Sequence, residues 1–278
     1  MRAPLPDELP RLLLAAERAI EAAAGALVRG RGHVHALIDK GDYGFATVVD
    51  VEIERIVREL LQESAPGIPF LGEEEGGGSI ASEALWVLDP IDGTSNYADG
   101  SPLCAVSLAL LRGGRPVIGV VDAPLLGERY VATEGAGAFL NGVPVRVAPR
   151  EVGDPLVALS DFAFGGKHQA SNELRFAVME ELARRSLRLR LHGSVALDLA
   201  WLAAGRMSGT VALSNRPWDV SAGVLLVREA GGGVFDDKGA TFGPGAESTV
   251  ACAPFFRDRL LAVLGDARAA AEAREDDG

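Results

Sequence analysis

Between Leu85 and Val147 the chain runs through short apolar segments separated by glycine turns, and that pattern commits this part of it to an antiparallel-rich sheet. The segments are Leu85–Leu88, Leu103–Leu111, Pro116–Val121 and Arg129–Thr133. Gly113-Gly114 divides the second from the third as a hairpin turn would. Asn141-Gly142 sits between Gly137–Leu140 and Val143–Val147, and this dipeptide supplies the positive φ angles of a two-residue hairpin loop. Helices come first. Leu9, Leu12, Leu13, Ala16, Ala19, Ile20 and Ala23 recur at helical spacing. After a loop containing Gly30, Gly32, Gly41 and Gly44, Asp50 is expected to N-cap a second helix that buries Val51, Ile56, Val57, Leu60 and Leu61.

Beyond about Arg150 the pattern changes to alternation. Strands are expected at Leu156–Leu159, Leu187–Leu191, Gly209–Leu213, Val234-Phe235 and Thr249–Ala253, and helices at Asn172–Arg185, Ser194–Ala204, Asp219–Ala230 and Phe255–Leu264. Alternation of this kind indicates an α/β half. The expected organisation is an N-terminal α+β half over residues 1–150, an α/β half over 151–265, and an Ala- and acid-rich tail over 266–278 that frays.

A chain of 278 residues can bury a substantial core, and its 48% hydrophobic and 24% charged content is that of a globular protein. The net charge of −12, without a dense Lys/Arg run, argues against a nucleic-acid partner. The two cysteines, Cys104 and Cys252, lie far apart and suit neither a disulfide framework nor a zinc motif, which points to reduced thiols. Met1–Pro10 carries one Arg, two acids and three prolines and is not expected to be a signal peptide. The longest apolar stretch, Pro102–Leu111, is too short to span a bilayer. The expectation is a cytoplasmic protein with no membrane association.

The chemistry concentrates in Phe70-Leu-Gly-Glu-Glu-Glu75 and Leu85-Trp-Val-Leu-Asp-Pro-Ile-Asp-Gly-Thr-Ser-Asn96. Trp86, Val87 and Leu88 form an apolar strand that is expected to end at Asp89, because Pro90 cannot extend a ladder. Asp92-Gly93-Thr94 has the character of a helix start, where backbone N–H groups bind anions and Gly93 lets the backbone approach a ligand. Two carboxylates about 4 Å apart at an effective dielectric near 20 repel by roughly 4 kcal/mol. Either a proton or a cation must relieve Asp89 and Asp92. With no His or Cys beside them the ligand set is oxygen only, which favours Mg²⁺ over Zn²⁺. Glu73 and Asp219, the latter in Pro217-Trp-Asp-Val220, are the natural further ligands, and four carboxylates make a two-metal site feasible. Taken singly, each element has a plain alternative: a turn at Asp-Pro, a cap at Asp92, a solvated loop at Glu73–Glu75, a packed helix start at Trp218. Their joint occurrence is what favours a metal site.

These residues resemble the inositol monophosphatase family, within the wider group that includes fructose-1,6-bisphosphatases and lithium-sensitive nucleotide phosphatases. One signature is similar to Trp86-Val-Leu-Asp-Pro-Ile-Asp-Gly-Thr-Ser-Asn-Tyr97, the other to Trp218-Asp-Val-Ser-Ala-Gly-Val-Leu-Leu-Val-Arg-Glu-Ala-Gly-Gly232, with Gly72–Glu74 and Gly135–Gly142 also matching. The resemblance covers about residues 10 to 264. It implies a layered α/β/α/β/α sandwich of the sugar-phosphatase type, Mg²⁺ dependence, lithium sensitivity and a homodimer. It implies a phosphoric monoester hydrolase that cleaves a small metabolite phosphate, inositol monophosphate-like, with water activated at the metal. It assigns metal to Glu73, Asp89, the Ile91 carbonyl, Asp92 and Asp219. Thr94 and Glu73 would position and deprotonate the water, with Asp50 supporting Thr94. Asp92, Gly93 and Thr94 would meet the substrate, the backbone N–H groups of Gly93 and Thr94 holding its phosphate, while Gly193, Ser194, Val195 and Arg216 would lie toward its alcohol side. Two positions depart from the family's pattern. Gly44 stands where an Asp is common, with Lys40 one residue closer than usual to Thr47, which bears on a third metal. Ala212 stands where inositol-selective members carry Glu, and Ser214, Asn215 and Arg216 are left as alternative contacts.

Histidinol phosphate, fructose-1,6-bisphosphate and a nucleotide 3′-phosphate remain alternative substrates. Haloacid dehalogenase-type phosphatases use a similar Asp-x-Asp-Gly-Thr, but here two residues separate the acids, so no aspartyl-phosphate is expected. A glycosidase would need an aromatic-rich cleft, and aromatics are only 6%. A catalytically inactive binding or regulatory homologue should have lost a ligand or Thr94, and none is lost.

Overall fold

A computed structural model of the chain describes residues 8–32, 37–39, 45–149, 153–162, 169–185, 187–214 and 216–276. Lys40, Gly41, Gly44 and Asn215 lie outside the described residues. The chain opens with α1 (Leu9–Gly30), the short pair β1 (Leu37–Asp39) and β2 (Phe45–Thr47), and α2 (Val48–Ser64). Then come β3 (Phe70–Gly72), β4 (Gly76–Gly77), β5 (Ala84–Asp92) and the one-turn helix α3 (Thr94–Ala98). An antiparallel meander follows: β6 (Ala105–Arg112), β7 (Arg115–Ala123), β8 (Glu128–Thr133), β9 (Gly137–Leu140) and β10 (Val143–Val145). The second half comprises β11 (Leu156–Leu159), α4 (Gln169–Arg184), β12 (Arg188–Arg190), α5 (Val195–Ala203), β13 (Gly209–Ala212), α6 (Pro217–Glu229), β14 (Gly233–Phe235), β15 (Thr249–Cys252) and α7 (Arg257–Asp276).

Two sheets result. The first has eight strands in the order β10-β9-β8-β7-β6-β5-β3-β4, antiparallel except where β3 runs parallel to β5. The second has five in the order β12-β11-β13-β15-β14, with β11 parallel to both its neighbours. Helices fill the spaces between and outside them. One face of the large sheet packs on α1 and α2 through Leu12, Ile20, Leu27, Ile53 and Val57. Its other face packs on α5 and α6, which also cover the small sheet, and α4 and α7 close the far side. The layers are thus α/β/α/β/α, the sandwich expected above. Strand β5 explains why the central run is apolar without a break. Leu85 and Val87 face α5 and α6 while Trp86 and Leu88 face α1 and α2, so both faces are buried.

Three expectations are corrected. Helix α2 is capped by Thr47, not Asp50: the Thr47 hydroxyl accepts from the N–H groups of Val49 and Asp50, and the Asp50 carboxylate returns to the Thr47 N–H in a capping box. Its buried face is accordingly Val49, Asp50, Ile53, Glu54, Val57 and Leu61. Strand β5 does not stop at Asp89 but continues through Pro90 to Asp92. Residues 266–276 of the tail are not frayed; they are the second half of α7, with Ala267 and Ala271 buried in the outer core beside α4. Small alanines there let the two helices approach. Among the described residues no helix is long and apolar enough to cross a membrane.

Replacing Ala267 by Asp puts an unpaired charge into that helix contact and is expected to destabilise the protein by about 2–4 kcal/mol. A urea denaturation midpoint unchanged from the parent would mean that α7 is not held there.

Candidate active site

The site lies where β5 leaves the large sheet toward the central helix layer. Asp89 pairs with Ser107 of β6 and Asp92 with Ala105, so Pro90 and Ile91 together face the single residue Val106. This is a bulge, a place where a strand tolerates proline. It also changes the phase of the strand. In a regular strand residues three apart point to opposite faces; the extra residue brings Asp89 and Asp92 to the same side, toward α6 and α5, while Ile91 turns into the outer core.

Separate contacts bring the other acids to this point. Ser107, directly across the ladder from Asp89, donates its hydroxyl to the Trp218 carbonyl at 3.1 Å. That bond fixes the first turn of α6 beside β5, and Asp219 follows immediately. Glu73 enters from the turn between β3 and β4, and its N–H donates to the Leu88 carbonyl at 3.2 Å. The turn is held from beneath by Glu54, whose side chain is 0% exposed. Its carboxylate accepts from the Glu74 N–H at 2.8 Å, the Glu75 N–H at 3.1 Å and Arg58 Nη2 at 2.6 Å. Only glycine fits above it, because a Cβ on Gly72 would lie 2.1 Å from the Glu54 carboxyl carbon.

Glu73, Asp89 and Asp219 each place an oxygen within 4.8 Å of the others, a carboxylate group able to hold a metal ion. Burial, then the charges of Glu73, Asp92, Asp219 and Asp50, hold the Asp89 carboxyl well above its ordinary pKa. Asp92 stands beside this group and not within it. Its Oδ2 accepts from Ser194 Oγ at 2.5 Å and from the Ala196 N–H at 2.6 Å, at the N-terminus of α5. Burial pushes the Asp92 carboxyl up to about 7 against those two hydrogen bonds, and repulsion from Asp198 and Glu73 adds to the rise.

The remaining expected residues fall as follows. Thr94 Oγ1 lies 3.3 Å from Asp50 Oδ1 and 3.0 Å from the Ile91 carbonyl, so Asp50 serves both the cap of α2 and the Thr94 hydroxyl. Gly93 is left-handed at φ 95°, and a Cβ there would meet the Leu103 and Gly193 carbonyls at 2.8 and 3.1 Å. Ser194 is buried, its hydroxyl spent on Asp92 and on capping α5 through the Leu197 N–H, while Val195 is half-buried. Arg216 immediately precedes α6 with its guanidinium 5.7 Å from the Trp218 ring. Ala212 is buried at the end of β13.

A model of the inositol monophosphatase family matches residues 10–270. The chain belongs to that family. The probable inositol 1-monophosphatase ImpA of Mycobacterium tuberculosis is 41% identical over 260 residues, covering 93% of this chain and 96% of the relative. The Nus factor SuhB of Escherichia coli K12 is 38% identical over 72% of this chain and 74% of its own. Among solved structures, the IMPase of Thermotoga maritima superposes with a TM-score of 0.83 at 28% identity, covering 91% of this chain and 96% of that one. SuhB of Bartonella henselae gives 0.81 at 32%, covering 90% and 96%. Membership makes the chain a phosphoric monoester hydrolase of the inositol monophosphatase type.

Sequence reasoning missed Ser107, Glu54 and the grip of Ser194 and Ala196 on Asp92. Ser107 carried a signal, as the one hydroxyl in the apolar run Ala105–Leu111. Glu54 carried another, an acid one helical turn after Asp50 on the same face as Val57 and Leu61. In this inositol monophosphatase fold, Gly72→Ala would push the Glu54 carboxylate out from under the Glu73 turn. It is expected to cost about 1–3 kcal/mol in stability and at least about tenfold in phosphate release, the lower range for a disturbed ligand support. Parental melting and parental turnover together would show that Glu54 does not set Glu73.

Proposed function

We propose that the protein is a magnesium-dependent phosphomonoesterase that hydrolyses the phosphate ester of a small soluble metabolite in the cytoplasm, working as a homodimer and inhibited by lithium. The observation that carries this reading is the meeting of three acids from residues 73, 89 and 219 within 4.8 Å, beside Asp92 and the left-handed turn at Gly93. Such crowding disfavours the charged state unless a cation relieves it, as the raised Asp89 carboxyl indicates. The donors are carboxylates with no His or Cys among them, which suits a hard ion. Glu73, Asp89, Asp219 and Asp92, with the Ile91 carbonyl, would hold Mg²⁺. When bound, Mg²⁺ supplies the positive charge a phosphate needs in an acidic protein and lowers the pKa of water.

The protein's own groups do the rest. The Thr94 hydroxyl, oriented between Asp50 and the Ile91 carbonyl, and the Glu73 carboxylate position the attacking water and accept its proton. The N–H groups of Gly93 and Thr94 hold the phosphate. Asp89, only 2% exposed and enclosed by other acids, is a poor nucleophile, so attack is by water without a phosphoenzyme. Gly193, Val195 and Arg216 border the alcohol side. Ala212 offers no acceptor there, which broadens the substrate beyond inositol phosphate to other small alcohol phosphates.

A phosphate-release screen with Mg²⁺ over inositol 1-phosphate, histidinol phosphate, fructose-1,6-bisphosphate and a nucleotide 3′-phosphate tests the reading; no release from any would contradict it. Asp92→Asn should lower turnover by at least about 100-fold, beyond what loss of a merely supporting group costs, with the circular dichroism spectrum unchanged because the amide oxygen can still accept from Ser194 and Ala196. A parental rate would refute the role of Asp92. Excess Ca²⁺ should inhibit in competition with Mg²⁺, since it enters oxygen sites with looser geometry; rates indifferent to Ca²⁺ would count against a magnesium site.

A further inference from the structure

Asp92 depends on two donors, Ser194 Oγ and the Ala196 N–H, which are the N-cap and the second residue of α5. What fixes those donors is the turn 192–194 that leads into the helix. From one side, Asn96 Nδ2 donates to the His192 carbonyl at 2.6 Å and to the Leu103 carbonyl at 2.8 Å. From the other, the His192 imidazole donates from Nδ1 to Asp198 Oδ1 at 2.6 Å. Asp198 lies one turn into α5, so this bond bridges the helix start from outside the cap to the first turn, where proteins often place an apolar contact. The His192 ring is set edge-on against Trp201, with centroids 5.0 Å apart, and Trp201 Nε1 is held by Glu128 at 3.0 Å. Asp198 is 2% exposed on its side chain, so a buried carboxylate close to the acidic site has this imidazole as its counterpart. Without it, Asp198 would be left buried without this donor at the start of α5.

We propose that His192, through Asp198, is a positioning residue that clamps the start of α5 so that Ser194 and Ala196 hold Asp92 in place for the divalent cation. The proposal rests on the metal-site reading given above. The imidazole touches neither substrate nor cation in this role; it acts through the donors of Asp92, and replacing it changes how tightly the site takes Mg²⁺ more than how it recognises the ester.

The test compares the parent with His192→Phe, which keeps a ring against Trp201 and removes the donor, and His192→Asn, whose Nδ2 can replace Nδ1. Mg²⁺ binding is measured by titration calorimetry without substrate, and exchange of the Ala196 amide by NMR. His192→Phe should bind Mg²⁺ about tenfold more weakly, at the low end for loss of a ligand's support. It should exchange Ala196 about tenfold faster, and it should change the KM for a phosphate ester by less than about twofold. His192→Asn should recover most of both losses. Parental binding and exchange in His192→Phe would overturn the proposal, as would a His192→Asn protein no better than His192→Phe. If the parent itself takes up no Mg²⁺, the proposed function has failed instead, and the Ala196 exchange rates still decide the clamp. His192→Leu replaces the Phe variant should that protein not fold.

Discussion

Mutual repulsion of crowded carboxylates governs this structure. Two such groups about 4 Å apart oppose each other by roughly 4 kcal/mol at an effective dielectric near 20, a large fraction of the roughly 5–15 kcal/mol that holds a protein folded. Glu73, Asp89 and Asp219 accept that arrangement because each is fixed by a contact that does not involve the others. Glu54 supports the turn that carries Glu73, the bulge of β5 turns Asp89 and Asp92 to one side, and Ser107 ties α6 to the strand beside Asp89. Asp92 is drawn slightly away by the first turn of α5, where backbone and hydroxyl donors and the helix dipole favour its charge.

The layered fold supplies the rigidity this needs. Strand β5 is packed on both faces, by α1 and α2 outside and by α5 and α6 within, so its end is a firm platform. The helices of the central layer belong to the second half of the chain, and two of them begin at the site. One fold therefore brings residues 73 and 89 together with residues 194 and 219, and the charge that accumulates there is the basis for proposing a divalent cation at this point.

Much of this was legible in the sequence. Periodicity locates the helices and the meander, the Asn141-Gly142 hairpin forms with its turn in place, and the Gly72–Glu74 match and the two signatures hold the three acids Glu73, Asp89 and Asp219 that the fold brings together. The failures have physical causes. Pro90 cannot donate to a ladder, which predicts a strand end at Asp89, yet a bulge asks no donation of it. Asp is a common helix cap, which points to Asp50, whereas Thr47 three residues earlier completes a reciprocal pair with it. The end of α7 looked frayed because alanine and acids give little apolar signal, although two of those alanines are buried. What no local pattern encodes is the Ser194 hydroxyl's bond to Asp92, a contact between residues 102 apart.

We hold that these acids form one cation site. Crystals grown without divalent metal and soaked in MnCl₂ and phosphate give the most direct measurement, through the anomalous signal of Mn²⁺ in an oxygen site suited to Mg²⁺. The expected result is a strong anomalous peak bounded by Glu73, Asp89 and Asp219. Peaks only elsewhere, with these three side chains unchanged and no density between them, would mean that the acids hold no cation.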